Sequence, residues 1–169
     1  VQNPLHALAH LINSMRDADG EICVEGFSDD VQPLNDLDRQ QIAAVPFDEE
    51  AYKNRLGVKT LFGEPGYTTL ERAWSRPTLE VVGVWGGFQD EGIKAVMPAE
   101  AHAKISCRLV ANQTPQAISE AITRHVFRHT PPGVTATVCS LDSQALPYTI
   151  PTDHPGNQAA HAVLKKVYG

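Results

Sequence analysis

Arg108 is the side chain whose type and setting best fit binding chemistry. It lies in the run 101–110, AHAKISCRLV, where Ala101, Ala103, Ile105, Cys107 and Leu109 alternate with His102, Lys104, Ser106 and Arg108. A period of two marks a strand with one apolar face and one polar strip. A guanidinium held on such a strip can take a carboxylate through two parallel hydrogen bonds. It can equally be a surface charge paired with Glu80 or Glu100, and both readings stay open at this level. Two histidine pairs, His6/His10 and His125/His129, have the four-residue spacing at which a helix can chelate a metal. No acidic or cysteine ligand follows the first pair at ligand spacing, so those residues read as polar neighbours of an apolar stripe. The second pair falls at a helix C-terminus, where a cationic ring suits the helix dipole. The acidic run Asp48-Glu49-Glu50 reads as a solvated face at a helix N-terminus. GxSxG, HExxH, a phosphate-binding glycine loop and a close Cys/His/Asp trio are absent from the sequence, so no catalytic residue and no metal ligand is assigned.

These side chains need elements to hold them. Asn3-Pro4 starts a helix, with Asn as cap and Pro where a missing N–H costs nothing; Leu5, Leu8, Leu11, Ile12 and Met15 then form a stripe at helical spacing to about residue 16. A short strand is expected over 21–27, helices over 35–44 and 48–56, a turn over 63–66 and a short helix over 69–75 ending at Pro77. Strands 79–85 and 101–110 flank a glycine-rich turn, a short extended piece at 93–97 and a corner at Pro98. Thr114-Pro115 opens a helix whose buried face is expected to be Ile118, Ala121, Ile122, Val126 and Phe127. Residues 134–140 alternate as a last strand, and Asp153-His154-Pro155 starts a final helix. The order fits an α+β ferredoxin-like two-layer sandwich: one antiparallel sheet, two long helices on one face, and a helical insertion over about 18–77. Its first strand would precede Val1.

Bulk properties narrow the function. With 169 residues and 42% hydrophobic content, the chain is long enough for one compact core and a small appendage. A formal net charge of −6 without a basic cluster sets nucleic acid aside as a partner. Three cysteines, Cys23, Cys107 and Cys139, with no CxxC spacing, suit a reducing compartment. No apolar run approaches the roughly 18 to 20 residues that cross a bilayer, and no signal-like segment leads the chain. The expectation is a cytoplasmic protein with no membrane partner. The chain starts at Val1 and enters a helix within three residues, which reads as a piece of something longer.

Several motifs recur together in this order: Asn3-Pro4, Asp19-Gly20, Gly63-Glu64, Arg76-Pro77-Thr78-Leu79, Gly83, Gly86-Gly87, Glu91-Gly92-Ile93-Lys94, Val96-Met97-Pro98-Ala99 and Ser106-Cys107-Arg108-Leu109-Val110. Over residues 1–140 the set resembles the lid or dimerisation domain of the co-catalytic zinc exopeptidases, which include carnosinases, aminoacylases, succinyl-diaminopimelate desuccinylases and glutamate carboxypeptidases. The resemblance implies that 1–140 is a lid and dimerisation domain and that 141–169 leads back to a catalytic domain outside this chain. That domain would supply two zinc ions, their bridging Asp and the general-base Glu; a lid histidine of the family would lie upstream of Val1. Arg108 matches the family arginine that grips the substrate carboxylate, while Asn112-Gln113 is carried over only as loop context. Ala95 departs from the pattern, since relatives commonly place Thr or Asn there. His154 falls where packing or capping is expected.

The implied whole is a homodimeric dizinc dipeptidase or related amidohydrolase acting on a peptide or acyl amino acid, with this chain inactive by itself. Homodimerisation also has a physical route, because an open sheet edge is satisfied by pairing across a two-fold axis. The competing expectation is a stand-alone ferredoxin-like module, either sensing a small acidic metabolite through Arg108 and Lys104 or serving only to oligomerise.

Overall fold

Helix α1 (Pro4–Ser14) begins as its sequence dictates: the Asn3 side chain accepts from the Leu5 N–H at 2.9 Å, and Pro4 takes the first turn. The computed structural model describes residues 1–141, 144–151 and 153–169. α1 buries Ala7 and Leu11, and Met15 follows them into the core just beyond its end. Asp17 then accepts from the Asp19 and Glu21 N–H groups, closing the turn that Gly20 completes at a φ of +94°. A side chain at Gly20 would also meet the Phe62 ring at 3.0 Å.

The strand expected over 21–27 reduces to a single bridge, Arg16 to Ile22. Its apolar residues have another use: Val24 and Phe27 turn inward, and Phe27 is only 1% exposed. Burial of an aromatic side chain stabilises by about 1.5–3 kcal/mol, more than the remaining ladder bonds would contribute at a sheet margin. The buried Gln113 side chain fixes this turn from behind, donating to the Phe27 carbonyl at 2.7 Å while accepting from the Val110 N–H at 2.9 Å.

Three short helices form the expected insertion: α2 (Asp36–Ala43), α3 (Glu49–Leu56) and α4 (Thr69–Ser75). Each is capped by its own sequence, with reciprocal capping boxes at Asn35/Asp38 and Thr68/Glu71 and an Asp48 cap on α3. α2 and α3 bury no residue. The anchor is polar: the guanidinium groups of Arg39 and Arg76 both approach the Tyr67 ring, 5.1 and 4.6 Å from its centroid, and Arg76 grips Glu64 through two bonds of 2.6 and 2.7 Å.

The insertion delivers the chain to β1 (Thr78–Gly86), which pairs antiparallel with β2 (Ala101–Arg108), from Thr78 opposite Arg108 to Gly86 opposite Ala101. One residue is absorbed by a bulge between Val81 and Gly83. α5 (Pro115–His129), capped by Thr114, lays Ile118, Ala121, His125 and Val126 on the core. Phe127 is a correction to the expected face, since its side chain is solvent-exposed and His125 occupies the buried row instead. Leu11, Met15, Val24, Phe27, Leu79, Ile118, Ala121 and Val126 form the centre, with Ile105, Cys107, Ala136 and Val138 packed against it.

Residues 134–140 keep the expected alternation, Val134, Ala136 and Val138 half-buried and Thr135, Thr137 and Cys139 exposed. They form no ladder among the described residues. They pack on the core through Ala136 and Val138. The α+β class holds, as six helices and a two-stranded antiparallel sheet among the described residues. Of the connection expected at 141–154, residues 142, 143 and 152 lie outside the described residues. α6 (Pro155–Tyr168) follows, with His154 as its cap, the ring Nδ1 accepting from the Gly156 N–H at 3.1 Å.

Candidate functional site: the hairpin and its free edge

β2 ends on Arg108, whose backbone N–H donates to the Thr78 hydroxyl at 3.3 Å. Its side chain is exposed on the open face of the hairpin. Both candidate ion-pair partners are committed elsewhere: Glu80 accepts from Arg16 at 2.7 Å, and Glu100 faces His102 at 3.4 Å. Among the described residues the Arg108 guanidinium therefore has no carboxylate partner. An unpaired, strand-mounted guanidinium can receive a planar carboxylate without first breaking an internal bond.

Lys104 shares the polar strip but does not converge with Arg108. Four residues on one strand face separate them by about 13 Å, and the Lys104 ammonium lies 5.6 Å from the Trp85 ring centroid. Trp85 in turn stacks on His102, with centroids 5.0 Å apart and planes at 10°. The Trp85, His102 and Lys104 cluster had no sequence signal beyond the shared face of His102 and Lys104, because only the bulged register brings Trp85 opposite His102.

Ala95 lies beyond the other end of the hairpin, in the connection between β1 and β2. The seven residue steps of β2 put that end about 23 Å from Arg108. The connection exposes Ile93, Val96 and Met97, Ile93 at 98%. Cys107, on the opposite face of β2, has its thiol pushed up to about 11, by burial first and by Glu80 second; it stays protonated at neutral pH. The His6/His10 pair on α1 gathers no further ligand, and no group of three or more His, Cys, Asp or Glu able to hold a metal occurs among the described residues.

The free edge of β1 is divided. At its start the Arg16 guanidinium donates to the Leu79 carbonyl at 2.9 Å as well as to Glu80, and Leu79 is buried. Beyond it, Val81, Val82, Val84 and Trp85 are exposed. Val81 and Val84 pair with Ile105 and Ala103 and so share the helix side of the sheet. α1 packs against β2, and Val81 and Val84 remain an exposed apolar strip.

Residues 1–151 match the family described as the peptidase dimerisation domain. The chain belongs to that family. The dimerisation domain is 31% identical over 126 residues to the human Beta-Ala-His dipeptidase, covering 75% of this chain and 25% of that protein. It is 27% identical over 125 residues to the Cys-Gly metallodipeptidase DUG1 of Saccharomyces cerevisiae, covering 74% and 26%. Among solved structures, an M20 family metallo-carboxypeptidase from Sulfolobus solfataricus superposes with a TM-score of 0.85 at 31% identity, over 100% of this chain and 43% of that one. Human carnosine dipeptidase 1 does so with a TM-score of 0.81 at 26% identity, over 99% and 36%. The dimerisation domain thus spans about a quarter of the curated relatives it matches.

Proposed function

We propose that this domain joins two copies of a metallodipeptidase through the outer half of β1 and forms the lid over its active site. The observation that carries this reading is the bare outer edge of 81–86, a run paired with β2 on its other side, whose Val81, Val82 and Val84 are exposed. A second copy laid antiparallel along that run satisfies its backbone groups, and the partner's first helix covers Val81 and Val84. Each valine so buried contributes about 1.5 kcal/mol. Arg16 occupies the first part of the edge, which confines the pairing to 81–86.

On the open face, Arg108 receives the carboxylate of a peptide or acyl-amino-acid substrate. Two charge-assisted hydrogen bonds from a fixed guanidinium orient that end of the substrate and restrict its motion. The exposed apolar tip of the hairpin connection, with Ile93, Val96 and Met97, suits a lid that closes onto another surface and excludes water. In this reading residues 1–140 are the lid and dimerisation unit, and 141–169 connect to a catalytic domain that carries two zinc ions. Those ions would act as Lewis acids on the scissile carbonyl. The whole protein works in the cytoplasm, and the domain alone is inactive.

Sedimentation of the full-length protein tests the pairing: a dimer is expected, and a monomer at high micromolar concentration would overturn it. Arg108→Ala tests the substrate contact. The expected loss in kcat/KM is roughly 30-fold, from about 2 kcal/mol for a charged hydrogen-bonded contact; unchanged kinetics would remove Arg108 from substrate binding.

A further inference from the structure

Away from the hairpin, the last turns of α5 and the segment after α1 enclose a cavity of about 240 Å3 whose walls carry Cys23, Glu25, Arg124, His125, Arg128 and His129. The hydrogen bonds assign a tautomer to each ring. With the one Ser14 hydroxyl proton assigned to the Leu11 carbonyl at 2.8 Å, the hydroxyl oxygen accepts from His125 Nε2 at 2.9 Å. His125 therefore carries its proton on Nε2 and leaves Nδ1 as a lone pair. The His129 Nδ1 stands 2.9 Å from the His125 carbonyl, which can only accept, so His129 is protonated at Nδ1 and bare at Nε2. The rings stack with centroids 4.0 Å apart.

His125 is only 5% exposed, yet its Nδ1 has no hydrogen-bond partner among the described residues. No described side-chain nitrogen or oxygen is both sealed from solvent and unpaired, so this nitrogen opens on the cavity that the ring lines. Charge in the cavity is unbalanced. Arg128 donates to Glu25, while Arg124 has no carboxylate partner among the described residues. Two guanidinium groups thus face one carboxylate, beside two imidazoles that can add charge but cannot remove it.

We propose that this cavity is a proton-coupled binding site for a small oxyanion, a phosphate-like or carboxylate group, held by Arg124 and by the Nδ1–H that His125 acquires on protonation. The groups facing His125 are Ser14 from α1, Cys23 and Glu25 from the following segment, and Arg124, Arg128 and His129 from its own helix. Burial first, then His129 and Arg128, hold His125 below its ordinary value; an anion reverses the latter two effects. Binding and protonation therefore favour each other, and affinity rises as pH falls through the histidine range. A metal ion is the less suitable occupant, because the two guanidinium groups repel it.

Cys23 in the wall makes the site readable in the full-length protein without reference to its activity. Alkylation by iodoacetamide, followed at each cysteine by peptide mass spectrometry, has Cys139 as an exposed internal control. Inorganic sulfate is the oxyanion probe, because its own charge does not change in this range; acetate is the carboxylate probe and chloride the ionic-strength control. Sulfate is expected to slow Cys23 relative to Cys139. The protecting concentration should fall about tenfold from about pH 8 to about pH 6, equivalent to roughly 1.4 kcal/mol. Arg124→Gln, an exposed position, should abolish protection without altering the melting curve, and Arg108→Ala should leave it intact. Protection by chloride equal to that by sulfate, protection independent of pH, or protection that survives Arg124→Gln would each overturn the proposal. Preferential protection by acetate over sulfate would support the carboxylate form of the site.

Discussion

The two halves of the hairpin are made from the same ladder but belong to different environments. Around Thr78 to Leu79 and their partners Arg108 and Cys107, the core lies beneath and Arg16 closes the edge. From Val82 to Gly86 the side chains on both faces meet solvent and the edge is bare. Equal backbone pairing with unequal burial shows that the inner half is held by packing while the outer half keeps its apolar side chains exposed.

Replacing one side chain at a time separates these roles. Leu79→Ala should cost about 2–5 kcal/mol of folding stability, seen as a lowered denaturation midpoint, because it leaves a cavity in the core. The same loss at Val84→Ala would break the distinction. Gln113→Leu should cost about 1–3 kcal/mol, since the Val110 N–H and the Phe27 carbonyl both lose their partner. Val84→Asp should leave monomer stability within about 1 kcal/mol of wild type and yet turn the sedimenting dimer into monomer; a dimer that persists would place the interface elsewhere.

The smallest effect concerns pH. His125 is neutral when folded and has a lowered value, so the unfolded chain binds its proton first as pH falls. Its contribution to stability is complete above the ordinary histidine value and is lost as pH drops below it. Comparing His125→Gln with wild type by denaturant titration across that window should show a shallower slope in the variant.

Much of this arrangement was readable in the chain. Asn3-Pro4 and Thr114-Pro115 mark their helices because each cap satisfies N–H groups of its own first turn. The alternation of 101–108 survives as a half-buried strand because α1 covers its apolar face. Residues 21–27 misled because a weakly alternating apolar run serves equally as a turn that plugs the core, and only the buried Gln113 decides between them. On α5 the helical period placed 125 in the row of 118 and 121, but a histidine did not look like a core residue; the Ser14 hydroxyl makes it one. The commitment of Glu80 to Arg16 joins residues 64 positions apart and had no local trace. α6 shows the other limit, since its amphipathic pattern names an apolar face without naming what covers it.

The bulge between Val81 and Gly83 gives β1 two phases. Before it the odd-numbered residues look toward the helices, and after it the even-numbered ones do, which is how Trp85 comes to stand over His102. Val82 is therefore the one residue of β1 that the ladder does not count. Shortening the gene by its codon should leave every other pairing in step.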